Sequence, residues 1–177
     1  MRKYFTLHFL TLFVFFAAVT LLKRYFEAYY LLFWIGGLVG TFMPDLDQLI
    51  YIYLLSPSDP ISQEAQSEIS KRHYIGTWSR LIAGRRERTK LIFHTVQFNA
   101  LFLLLSIFVL TSSASIFGHG LVLGFALHLF IDQYIDFKEL GNLGRWFHKL
   151  QISLDQERLK LYLITNFILL LIFGLYL

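Results

Sequence analysis

Six ionisable side chains, His8, Asp45, Asp47, His94, His128 and Asp132, stand at or near the ends of long apolar runs. Imidazole and carboxylate without sulfur form a ligand set for a divalent ion such as zinc, manganese, iron or magnesium. The chain has no cysteine, so disulfides, thiolate zinc sites and cysteine nucleophiles are excluded. His128 and Asp132 are four residues apart, one helical turn, so both can point at one ion or one proton. Asp45 and Asp47 are two apart and would leave a continuous helix on opposite faces; they can serve one site only if Pro44 breaks the helix. Water activated in such a site attacks a phosphoryl or carbonyl centre. A carboxylate not spent on metal acts as general base. Asp45 is one candidate for that role, and Asp136, one turn beyond Asp132, is another, or supports a ligand, or is a plain helix-end carboxylate.

The helix that must carry the centre of this set runs through residues 116–135. Gly120, Gly124, His128, Asp132 and Asp136 recur every four residues, so they form one stripe on an otherwise apolar helix. Glycines at the top of the stripe let a neighbour approach closely. Gly36 and Gly40 share that spacing, and packing the two glycine pairs together would bring Asp45 and Asp47 toward His128 and Asp132.

The 177 residues are 56% hydrophobic and 18% aromatic, with only 16% charged. This composition, in blocks long enough to cross a bilayer, predicts an all-α, polytopic membrane bundle of one domain covering residues 1–177. Five spans are expected, at about residues 5–22, 29–48, 91–110, 116–135 and 161–177. Residues 56–90 form a polar, basic loop expected to hold one short helix edged by Trp78, Leu81 and Ile82. Leu143, Trp146, Phe147 and Leu150 recur as expected of an interfacial helix.

With the N-terminus in the cytoplasm, fourteen of the sixteen lysines and arginines fall on that side and only Lys23 and Arg24 outside. The expected location is the cytoplasmic (inner) membrane, with the C-terminus outside. This topology puts all six ionisable residues at one depth, near the cytoplasmic face. The formal charge of +4 is then explained by topology and anionic lipid, so membrane lipid is the expected partner and nucleic acid is not. Arg85, Arg86, Arg88 and Lys90, just before His94, can hold a substrate phosphate or a lipid headgroup, or anchor the loop to the membrane surface. His73, His119 and His148 are read as local or solvated residues.

At these positions the chain resembles the predicted inner-membrane, metal-dependent hydrolases often called YdjM-like. The resemblance rests on His8, on Gly40-Thr41-Phe42-Met43-Pro44-Asp45-Leu46-Asp47 for the family's G-x-x-x-P-D-x-D, on His94-Thr95 for its T-H-S, and on Gly124 to Asp132 for its G-x-x-x-H-x-x-x-D. The four anchors occur in the family's order across most of the chain. Gln48 stands where the family usually has a histidine, and residues 85–90 replace an H-R-G turn, which leaves one metal, two or none open. The resemblance implies a fold and a site more than a substrate; with the site chemistry, the expected function is hydrolysis of an ester or phosphoester, with a lipid as one candidate substrate. A non-catalytic membrane scaffold that binds lipid or a partner is the alternative, and a cation or proton carrier is a third.

Overall fold

In the computed structural model, residues 2–84, 88, 90–112 and 115–176 are described, and among them the chain is helical with no strand. The helices are α1 (Arg2–Lys23), α2 (Leu31–Phe42), α3 (Asp47–Ile50), α4 (Pro60–Ser70), α5 (Tyr74–Ala83), α6 (Val96–Ser112), α7 (Ile116–Leu140), α8 (Gly144–Phe147) and α9 (Gln156–Tyr176).

Helix α7 is the centre of the bundle, packed against α1, α2, α6 and α9. Fifteen of its 25 residues are buried, so most of its surface faces other helices. Its limits follow local rules. The Ser115 side chain accepts the backbone N–H of Gly118 at 3.1 Å, and Gly141 ends the helix with φ of 68°, a conformation that costs glycine nothing.

The glycine pairs meet as expected. A Cβ added at Gly120 would strike the carbonyl oxygen of Phe33, and one at Gly124 that of Gly37; added at Gly36 and Gly40 it would strike those of Phe117 and Leu121. Backbone therefore lies on backbone along α2 and α7, and no larger residue fits at these crossings. Around this seam the core is built from Phe16, Phe33, Leu123, Leu129 and Leu170 among others.

Three helices, Thr6–Lys23, Ile116–Leu140 and Gln156–Leu175, are long and apolar enough to cross a membrane. The other two expected spans are shorter. Helix α6, with 17 residues, reaches roughly 25 Å, and α2 stops after 12 residues at Phe42. Beyond it Pro44 sits at the start of a 3-10 turn, Met43–Leu46, that leads into α3 and then a π-helical turn at Tyr51–Leu55. Proline supplies no N–H, so the α-helical ladder cannot pass through it. The expected break is there.

Two expectations about connecting segments are revised. The polar segment holds two helices, α4 and α5, and they build a small core of their own with Tyr51, Ile52, Ala65, Leu81 and Leu91. The segment predicted as an interfacial helix is only one α-turn, α8, followed by a 3-10 turn at His148–Leu150. Leu143 and Trp146 within or beside it are buried in the main core. Trp146 goes inward because its indole N–H finds a buried acceptor, Asp136 Oδ2, at 2.9 Å.

Candidate metal centre

The C-terminal end of α2, the lead-in to α6, the N-terminal half of α1 and the C-terminal half of α7 converge at one end of the bundle. Here His8, Asp45, Asp47, His94, His128 and Asp132 come together, none more than 2% exposed. Four separate segments supply them, which no single short motif could have done.

Asp132 occupies the middle. Its Oδ1 lies 3.1 Å from His8 Nε2, and its Oδ2 lies 3.1 Å from His94 Nε2 and 3.4 Å from His128 Nε2. Three imidazoles thus surround one carboxylate. The His8 and His128 rings are 4.5 Å apart between centroids. Asp45 approaches from the other side, with Oδ1 3.8 Å from His128 Nε2.

Two overlapping triads have the arrangement of a metal site: His8, His128 and Asp132, and Asp45, His94 and His128, each with its ligand atoms within 4.8 Å of one another. His128 belongs to both. His128 Nδ1 has no hydrogen-bond partner among the described residues, and its Nε2 and Asp45 Oδ1, all buried, meet other groups only in the long ion-pair contacts of 3.4 and 3.8 Å. Buried polar atoms are normally paired, and a divalent ion satisfies this nitrogen and oxygen set directly. The residues fit a metal.

Asp47 is placed differently from the other carboxylates. It accepts the backbone N–H groups of Ile92, Phe93 and His94 at 2.9, 2.7 and 3.3 Å, and its Oδ2 lies 3.1 Å from His94 Nδ1. This also explains why α6 starts at Val96, five residues later than the span predicted from apolarity. Residues 91–95 are irregular because their amides turn to a side chain across the bundle. A carboxylate on the far nitrogen of a histidine fixes the ring's orientation and tautomer.

Asp136 has different partners. It accepts from Arg145 Nη2 at 2.6 Å and from Trp146 Nε1 at 2.9 Å, and the Trp146 ring packs 5.5 Å from the His94 ring. Both bonds fall on Oδ2 and tie the carboxylate to Arg145 and Trp146.

Of the four basic residues before His94, Arg85 and Arg86 lie outside the described residues. Arg88 is buried: it donates to Gln48 Oε1 and to the carbonyl of Leu81, and lies over the Tyr51 ring. It joins the α5 end to the break after α2. Lys90 is exposed, 3.4 Å from Ser56 Oγ. Gln48 is therefore turned toward Arg88.

Sequence reasoning passed over a second polar set next to the cluster. Asn99 Nδ2 donates to Tyr162 Oη at 3.2 Å and to Asn166 Oδ1 at 3.4 Å, and Asn166 Nδ2 donates to Gln133 Oε1 at 3.3 Å. These buried amides tie α6, α7 and α9 together. The available signal was an amide side chain within each of three apolar helices, Asn99, Gln133 and Asn166.

Comparison of the chain with family models, with curated proteins and with solved structures finds no match.

Proposed function

We propose that this protein is a membrane-embedded, metal-dependent hydrolase acting on an ester or phosphoester, with its centre near the cytoplasmic face of the cytoplasmic membrane. One observation carries the reading: a buried cluster of three histidines and two aspartates in which His128 Nδ1 has no hydrogen-bond partner among the described residues and His128 Nε2 and Asp45 Oδ1 make only long ion-pair contacts. An uncompensated buried polar group costs about 1–3 kcal/mol, so a cluster that leaves these atoms poorly paired is best accounted for by what it binds.

In this reading His8, Asp45, His94, His128 and Asp132 hold one or two divalent ions. A bound ion of this kind supplies Lewis-acid polarisation of a substrate oxygen and makes water more acidic. Asp47 holds His94 in place through Nδ1, and Asp136 holds Trp146 against the other side of that ring. Water attacks the phosphorus or carbonyl carbon, the Asp45 carboxylate oxygen that does not hold the ion takes its proton, and the proton passes to the leaving oxygen as the ester bond breaks. Helices α1, α6, α7 and α9, with α2 and its continuation through α3, are the five spans. The N-terminus is cytoplasmic and the C-terminus outside, the orientation favoured by the basic residues.

The reading is tested by turnover of a soluble phosphodiester and a soluble carboxylic ester, both nitrophenyl reporters, on protein reloaded with zinc or manganese. Metal-dependent turnover lost in Asp45→Asn supports it. Equal background turnover in the two proteins contradicts it.

A non-catalytic scaffold is the second reading. What favours it is the complete burial of the cluster together with the engagement of Asp132 by three histidines, which lets the set serve as a structural network.

A further inference from the structure

An apolar groove of about 520 Å³ runs along the outside of the bundle where α1, α7 and α9 meet. These are the three helices long and apolar enough to cross a membrane, an arrangement that would set the groove against lipid. Leu7 and Thr11 form one wall, Ile131 and Tyr134 the floor, and Ile164 the other wall. Leu7 and Ile131 precede His8 and Asp132 in the chain, so α1 and α7 give the groove its lining on one face and the His8–Asp132 contact on another.

One end of the groove is charged. Lys160, one turn from Ile164 toward the start of α9, is the single charged residue among those lining it. Its partner is Glu157 on its own helix, 3.0 Å away and strongly exposed, a pairing of the kind that contributes little and yields to a better anion. An apolar channel ending in a cation is the complement of an amphiphile with a negative head.

We propose that this groove binds an acyl chain of an anionic phospholipid, with the headgroup phosphate on Lys160. Joined to the hydrolase reading, on which this consequence rests, the lipid is the substrate: its ester and phosphoester linkages lie between phosphate and chain, beside the helices that carry His8 and Asp132.

The test is lipid retention by the full-length protein. Detergent-purified protein is exchanged through mixed micelles containing phosphatidylglycerol or phosphatidylcholine of the same acyl chains, and bound lipid is counted by mass spectrometry. Wild type retains phosphatidylglycerol in preference to phosphatidylcholine. Ile164→Trp and, as a second groove-filling change, Thr11→Phe lower retention about tenfold, the effect of losing one modest contact set. Lys160→Gln removes the preference between headgroups. Leu171→Trp, on the exposed face of α9 outside the groove, behaves as wild type. Unchanged retention in both groove-filling variants, with melting temperatures equal to wild type, overturns the proposal, as does equal retention of the two lipids by wild type. His128→Ala separates this claim from the metal reading: it retains lipid whether or not the cluster holds an ion. Absence of lipid selectivity in wild type, with its metal-dependent turnover of a soluble ester intact, removes the groove alone.

Discussion

The Nε2 atom of His94 lies 3.1 Å from Asp132 Oδ2 although the two residues are 38 positions apart. The other nitrogen of the same ring, Nδ1, lies 3.1 Å from Asp47 Oδ2. One imidazole is thus clamped between two carboxylates from different helices, and the break at Pro44, the lead-in to α6 and the stripe on α7 are locked into a single arrangement.

Asp132→Ala is expected to lower divalent-ion affinity by at least about 100-fold, because it removes a ligand and the group that aligns three histidines. Calorimetric titration of chelated protein checks this. An affinity within threefold of wild type, a difference below ~1 kcal/mol, would show that Asp132 is a structural anion and that the ion, if any, sits elsewhere.

Asp47 should separate stability from binding. Asp47→Ala leaves three backbone amides without their acceptor and is expected to cost about 3–5 kcal/mol. Asp47→Asn keeps one acceptor oxygen, so the fold should survive with metal affinity reduced about 10–100-fold. Thermal unfolding in detergent, read beside metal binding, distinguishes the two.

The α2–α7 seam is expected to tolerate no side chain. Gly124→Val and Gly120→Val would each drive a branched side chain into the backbone of α2, at a cost of about 1–3 kcal/mol or more. Because the seam carries Asp45 toward His128, metal binding should fall in the protein that remains folded. Retention of the wild-type melting temperature in both variants would contradict the packing described.

Asp136→Asn is expected to cost about 1.5–3 kcal/mol through its bonds to Arg145 and Trp146 while leaving metal stoichiometry unchanged. Turnover should persist at a reduced rate. Complete loss of turnover with stability and metal content intact would return Asp136 to the role of general base.

The glycine spacing, the helix-ending proline and the histidine–carboxylate step were legible in the sequence because each is a local rule: a turn of helix, a missing N–H, a close approach. The separate placements of Asp47 and Asp136 were not. Asp47 turns to amides 45 to 47 residues away, and Asp136 is drawn to Trp146 by a hydrogen bond that outweighs the amphipathic pattern of residues 143–150. Arg88 is a third case. Its position in a basic run suggests an exposed anchor, yet Gln48 and the Leu81 carbonyl give its guanidinium partners inside the protein, which no count of charges reveals.

The most direct test is the metal content of detergent-purified protein after chelation and reloading with zinc or manganese, compared with His128→Ala and Asp45→Asn. The account predicts about one to two equivalents of divalent ion per chain in wild type, since folding presents both triads preformed, and loss in both variants. Well-folded wild-type protein that takes up no ion, indistinguishable from the two variants, would contradict it.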